Sequence, residues 1–374
     1  DCHSYGVKVE AENFPKNINI YNCHFRDIGV RGIKGSTSLE GRAVGGSIRY
    51  CRFENTKIPE ASWQFGGNYI TAIDMMALDG WVISDNYFRN LKGRTGNARG
   101  AIFIWVRSRN VTVERNVIID CDRGVSFGNP SGSTAFRENV PHISDSIIRN
   151  NFIVPGPDAG IELWWAENVK VYNNTVWRRD AGGPGLRGGS AQWKINNIDV
   201  VNNLVRGANA LSGGVNLRNN YLGGLTGYFI DPENGDLRLT MAAVNAVNKG
   251  MPLVEVTDDY DGFPRDGAPD VGACEFGARE AFLAAKTRTE SSRTAPAREP
   301  EAPTPKKALD AERKSIAEAA AKLTAGDATG AKTAYSEIAG RLPEGPAREA
   351  LALLADACGL AGDLKQAVMA GVKT

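Results

Sequence analysis

The chain's strongest pattern is a short run of alternating apolar and polar residues that keeps returning with a small polar residue at one place. On a common register it reads INIYNCHF, SIRYCRF, WVISDNYF, VTVERNVI, SIIRNNFI, VKVYNNTV, IDVVNNLV and VNLRNNYL. One column runs Cys23, Cys51, Asn86, Asn116, Asn151, Asn174, Asn203, Asn220, at spacings of 17 to 35 residues. A second apolar phrase precedes most of these: YGVKV, RGIKG, TAIDM, GAIFIW, RGVSFG, AGIELW, SAQWK. Each repeat therefore predicts a strand, a loop, a second strand, a sharp corner and a third strand.

Asparagine is depleted in strands, so its recurrence needs a reason. It tolerates the left-handed backbone of a tight corner. Its amide can also bond the asparagine of the next repeat, stacked roughly 4.8 Å away, to form an internal ladder. These features predict an all-β, single-stranded parallel β-helix with an asparagine ladder. The expected boundaries are a coil over 1–230, a closing segment over 231–284, a flexible linker over 285–307 and a small α-helical tail over 308–374. Cys23 and Cys51, neighbours in the ladder column, read as small buried thiols.

On these phrases, residues 1 to about 277 resemble the right-handed parallel β-helix repeat proteins, the pectate-lyase-like superfamily of polysaccharide lyases, hydrolases and epimerases. The resemblance implies the right-handed sense, which the general crossover preference supports. It also implies a secreted, periplasmic or cell-surface bacterial protein that acts on or binds polysaccharide. The stretch FIDPENGDLRLT to DVGACEF resembles the closing segment of bacterial secreted members, expected to cap the last turn and cover an open sheet edge. The best-known catalytic phrases of the superfamily are absent. The three histidines lie in CHS, CHF and PHI, and DPEN at 231–234 falls in the closing segment. No catalytic residue carries over from those relatives.

Composition narrows the partners. The 374 residues are 42% hydrophobic and 23% charged, with a net charge of +1. A near-neutral chain has no global field toward nucleic acid, and no apolar run approaches the length of a membrane span. The six cysteines form no CxxC pair, so neither a zinc site nor a disulfide scaffold is expected. The opening residues read like the middle of a pattern, which suggests a processed or truncated chain whose export signal is missing. The stretch KTRTESSRTAPAREPEAPTPKK has linker composition. The alanine-rich tail after it resembles a degenerate tetratricopeptide-type hairpin, expected as a small helical appendage, with docking to a protein partner or envelope component as the alternative.

Alternation selects the outward side chains of the first strand. One outward column reads Lys8, Lys34, Asp74, Phe103, Ser126, Glu162, Gln192. The next reads Glu10, Met76, Trp105, Gly128, Trp164, Lys194. Trp105 and Trp164 flank Gly128 and should stand two strands apart, roughly 10 Å, a spacing that suits two sugar residues on aromatic platforms. Lys194 is expected beside Glu162, as base and orienting carboxylate of a β-elimination, with Arg107 or Arg123 neutralising a uronate carboxylate. Phe103, Asp74, Asp122 and His142 complete the expected substrate-binding set. The resulting expectation is a lyase on an anionic, uronate-containing polysaccharide. Two alternatives stand beside it: a noncatalytic glycan-binding or surface-structural protein, and a glycoside hydrolase using Asp122 with Glu162. The acidic DDYDG at 258–262 reads as a capping turn and leaves Ca2+ open as a cofactor.

Overall fold

In a computed structural model, the structure describes residues 4–36, 40–59, 64–130, 140–278, 305–325, 327–341, 348 and 351–358. Two compact units divide the chain, 1–292 and 293–374.

The first unit is built from three parallel sheets that the chain visits in fixed rotation. The first circuit is formed by Tyr5–Glu10, Lys16–Tyr21 and His24–Arg26, which open the first, second and third sheets respectively. Later circuits add strands beside them in the same order, so neighbours within a sheet are one circuit apart in sequence. The first and third sheets each hold eight strands. All pairings within the three sheets are parallel.

The register shows how the sequence pattern becomes a core. In the first sheet, Val7, Ile33, Ile73, Ile102, Val125, Ile161 and Leu186 align. The second sheet aligns Ile20, Ile48, Ile83, Val113, Ile148, Val171 and Val200. In the third, Phe25, Phe53, Phe88, Ile118, Ile153, Val176 and Val205 stand in one row. These side chains form the continuous core. The Phe25, Phe53 and Phe88 rings stack with centroids 4.6 and 5.0 Å apart. Each such side chain, fully buried, contributes about 1.5–3 kcal/mol.

The asparagine column is a continuous ladder. Asn86 Nδ2 donates to Asn116 Oδ1 at 3.0 Å, and the same bond repeats from Asn116 to Asn151, Asn151 to Asn174, Asn174 to Asn203 and Asn203 to Asn220. At the top, the Cys51 amide donates to Asn86 Oδ1 at 2.9 Å, and Cys23 N–H points at Cys51 Sγ. The left-handed corner belongs to the residue before the ladder position, which corrects the expectation that one asparagine does both tasks. Asn150, Asn173, Asn202 and Asn219 have φ between 50° and 57°, and Asp85 and Arg115 take the same conformation. This division of labour explains the paired asparagines: the first turns the corner and the second bonds along the axis.

The closing segment lies along a face. Leu225, Tyr228, Phe229, Leu237, Leu239, Val271 and Ala273 pack on Ile119, Phe152, Val154, Trp177 and Leu204, the outer face of the third sheet. Gly272 N–H donates to Asn202 O, and Arg265 reaches Asn150 Oδ1. The segment therefore covers several circuits sideways. Its DDYDG turn is held by internal partners. Asp258 pairs with Arg115, Asp259 accepts from the Phe263 and Glu275 amides, and Asp261 takes a two-pronged bond from Arg238. Asp259, Asp261 and Cys274 lie close together, but these bonds already use the carboxylates, and burial pushes the Cys274 thiol up to about 12.

The second unit contains helices Pro305–Thr324 and Ala328–Arg341 and a further helical stretch at 351–358. Asp327 starts the middle helix by accepting from the Gly330 amide at 2.8 Å, an N-terminal cap. Tyr335, Ile338, Leu351, Ala355 and Cys358 join Ala319 and Ala331 in one small core. Most of the expected linker lies outside the described residues. No described helix is long and apolar enough to cross a membrane.

Candidate functional site

The outward column of the first sheet is Lys8, Lys34, Asp74, Phe103, Ser126, Glu162, Arg187. It matches the sequence reading through Glu162 and departs at the last position. The strand beside Ile161–Leu163 is Pro184–Gly188, so Arg187 pairs with Glu162 where Gln192 was expected. SAQWK, read as the strand phrase, is instead a connection. Lys194 lies on that connection, exposed, and lines a separate hollow with Ser190 and Asn196. Its expected pairing with Glu162 is therefore replaced by Arg187.

A cleft of about 520 Å³ opens over this sheet, lined by residues that include Arg31, Lys34, Tyr69, Asp74, Arg99, Phe103, Trp105, Arg123 and Asn129. Two buried carboxylates anchor it. Asp74 Oδ2 accepts from Arg31 Nε at 2.7 Å and Lys34 Nζ at 2.9 Å, while Oδ1 accepts from Trp105 Nε1 at 3.0 Å. Burial opposes its ionisation, yet Arg31 and Lys34 hold it below the usual carboxylate range. Lys34 is pulled the other way: burial lowers its pKa, and Asp74 only partly restores it. The Arg31 guanidinium lies 3.6 Å from the Tyr69 ring centre, a cation–π contact. Burial raises the Tyr69 hydroxyl to about 12.

The second carboxylate, Glu162, is completely buried. It accepts from Ser126 Oγ at 2.8 Å, Arg187 Nη2 at 2.6 Å and Arg99 Nη1 at 3.2 Å, and Arg123 Nε lies 3.6 Å away. Burial opposes the charge, but Arg123, Arg99 and Arg187 together bring its pKa down to about 2. Asp158 shares two of those arginines, Arg123 at 2.5 Å and Arg187 at 2.7 Å. Arg99 also donates to Asn129 and sits over Phe103.

Aromatic rings line the space between the two carboxylates. Phe103 and Trp105 are near-parallel, 5.2 Å apart, and His142 meets Trp105 edge-on at 5.8 Å. Phe103 is buried and Trp105 half-buried. Trp164 occupies the expected column but is 8% exposed and packs edge-on against Trp193 at 5.7 Å. It does not appear in the cleft wall, so the two-tryptophan platform reduces to Trp105 with Phe103. Gly128 between them has φ +84°, and a Cβ there would fall 1.6 Å from the Trp164 carbonyl oxygen.

The other expected residues take supporting places. His142 is buried, accepts the Asn129 amide at Nδ1, and has its pKa lowered by burial to about 4. It stands behind Trp105 as a neutral support. Asp122 is buried and accepts from the Gly93 and Ala98 amides at 2.8 and 2.9 Å, holding the 93–98 loop that leads to Arg99. Arg107 donates to Gly41 O in a corner away from the cleft wall. Arg123 is in the cleft wall and bonds Asn97 as well as Asp158.

Arg31, Tyr69, Asn97, Arg99 and Asn129 escaped the sequence reading. Arg31 opens its strand, and the others sit on connections, where strand alternation assigns no direction. A comparison of the chain with protein-family models and with curated proteins found no match to either.

Proposed function

We propose that residues 1–278 form a right-handed parallel β-helix of the polysaccharide-active kind, exported or displayed at the cell surface, whose first-sheet cleft takes an anionic glycan and cleaves it by β-elimination. One observation carries this reading: a single cleft combines cations Arg31, Lys34, Arg99 and Arg123 with the Phe103–Trp105 ring pair and the Tyr69 hydroxyl. Arginine and lysine heads match uronate carboxylates, and aromatic rings suit the C–H faces of sugars.

The chemistry follows from the side chains present. Elimination requires a base for the proton beside the uronate carboxylate, charge neutralisation at that carboxylate and a proton for the departing glycosidic oxygen. Lys34 rests as an ammonium on Asp74, and burial makes its proton easier to lose; its deprotonated form is the base in place of Lys194. The cleft arginines face the carboxylate. Tyr69, protonated at neutral pH, donates to the leaving oxygen. The carbon–oxygen bond breaks as the alkene forms, leaving an unsaturated uronate at the new end.

The hydrolase alternative fares worse. Glu162 in its arginine cage has no proton to give near neutral pH, and both Asp122 bonds serve the 93–98 loop. Noncatalytic glycan binding is the second reading, favoured by the full pairing of Asp74 and Glu162. Lys34→Ala separates the two. A lyase loses its unsaturated product while retaining glycan, whereas a binding protein yields no product from either form. Lys194→Ala should change neither property.

A further inference from the structure

We infer that Cys23 and Cys51 form a redox-active thiol pair that closes to a disulfide, tying the first circuit of the coil to the second where the amide ladder stops. Neither cysteine lines the cleft, so the pairing is independent of the glycan reading.

The ladder changes chemistry at these two positions. From Asn86 onward each amide donates to the next. Above Asn86 the Cys51 thiol takes the amide's place: Sγ bonds Arg49 O at 3.2 Å, and the Cys23 N–H points at it from 3.4 Å. Asn151 makes the corresponding bond to Arg149 O. A thiol is a weak donor and a weak acceptor, so this rung is the poorest in the column. A covalent bond would replace what the amides supply further along.

The two corners superpose. Tyr21 pairs with Arg49 and His24 with Arg52, in parallel register. Between them stand Asn22–Cys23 and Tyr50–Cys51, and Asn22 and Tyr50 both take the left-handed conformation, with φ 51° and 53°. Cys23 is therefore one interstrand spacing from Cys51, roughly 4.8 Å between Cα atoms. Disulfides span Cα separations of about 4.4–6.8 Å. Their Cβ atoms sit within about 4.5 Å, so the two rungs must draw slightly together. The outer rung can give, because the strand that follows Cys23, His24–Arg26, is the edge of the third sheet.

Exposure divides the roles. Among the described cysteines Cys23 alone is exposed, which corrects the expectation that both thiols are buried. The Cys23 thiolate attacks one sulfur of an external disulfide such as oxidised glutathione and releases one small thiol. Cys51 is buried, and burial raises its thiol pKa. It needs no outside access, because its target is the Cys23 sulfur of the mixed disulfide. Its attack releases the second small thiol, which takes the Cys51 proton. Two protein thiols thus lose two hydrogens, and the small disulfide gains them. Export, as proposed above, would supply the oxidising setting.

The test is incubation of the full chain with oxidised glutathione, then alkylation of free thiols and peptide mapping by mass spectrometry. The expected result is a Cys23 peptide joined to a Cys51 peptide, with two hydrogens lost from the intact mass and both thiols recovered on adding dithiothreitol. The oxidised chain should melt about 5 °C above the reduced chain, a difference that Cys23→Ser abolishes. Cys2 lies outside the described residues, and Cys2→Ser should leave the bond intact. Should Cys23→Ser fail to fold, the mapping on the unaltered chain still decides. Recovery of Cys23 and Cys51 both alkylated after oxidation overturns the pairing. So does Cys23 held instead by glutathione, by Cys2 or by a second chain.

Discussion

Lys34 Nζ and Arg31 Nε donate to the same oxygen of Asp74, at 2.9 and 2.7 Å, on the floor of the first-sheet cleft. All three side chains are buried. One carboxylate therefore pairs with two cations, leaves one positive charge uncompensated in the group, and fixes where both heads point.

Removing that carboxylate should be severe. Asp74→Ala leaves two buried cations without their partner and should cost about 3–5 kcal/mol, the scale for breaking a buried ion pair from one side. Asp74→Asn keeps the shape and one acceptor oxygen and should cost less. Urea unfolding of both variants checks the order. A loss under about 1 kcal/mol for Asp74→Ala would show that the pair is solvated.

The ladder should be strongest in its middle. Asn151 donates to Asn174, Val113 O and Arg149 O, and its own oxygen accepts from Asn116 twice. Asn151→Ala orphans several buried groups at about 1–3 kcal/mol each. Asn220, at the last position and half-buried, should tolerate alanine better. Equal midpoints for the two variants in chemical unfolding would argue against an axial polar network.

Gly128→Ala should abolish folding or shift the cleft wall. Its backbone has φ +84°, and the added methyl would meet the Trp164 carbonyl. Gly262 has a similar φ of +80° with nothing within 4 Å, so alanine there carries only the conformational strain of about 1 kcal/mol. Soluble yield and thermal midpoints of the two variants should differ widely.

How far the sequence disclosed this arrangement depended on the kind of residue. Inward side chains such as Ile102 and Ile161, and the column from Asn86 to Asn220, were legible because strand alternation and axial stacking repeat on every circuit. Glu162 was legible as an outward residue for the same reason. Its partner was not. GLRG at 185–188 has the same glycine–apolar start as RGIKG, but glycines around it hid the strand, and SAQWK offered a false match. In the true strand, Gly185 stands against Val205, where a Cβ would approach to 2.4 Å; Gly160 meets Val176 in the same way. That glycine before the first inward residue is the signal that marks Pro184–Gly188. Tyr69, Arg99 and Asn129 sit on connections of irregular length, whose path depends on tertiary packing. Trp164 was placed in the correct column, but alternation does not show that Trp193 folds against it.

Acid should destabilise the fold through His142 and Glu162 together. His142 takes a proton near 6.5 when unfolded but only at about 4 when folded, so the unfolded chain binds more protons between those values. Its contribution is present above pH 6.5 and lost as pH falls toward 4. Glu162 is normally protonated near 4.5 but holds out to about 2 in the fold, so its contribution is present above pH 4.5 and lost toward pH 2. Unfolding free energy measured from pH 8 to 4 should fall, with the first part of the decline missing in His142→Gln. An unchanged slope in that variant would show that His142 is not buried as a neutral ring.

The most direct measurement follows ultraviolet absorbance of the conjugated alkene when the full chain is mixed, one at a time, with alginate, pectate, hyaluronan and chondroitin sulfate. The account predicts that absorbance grows with at least one of them and stops in Lys34→Ala, while Lys194→Ala behaves as the unaltered chain does. Flat traces with all four, or growth that survives the loss of Lys34, would contradict it.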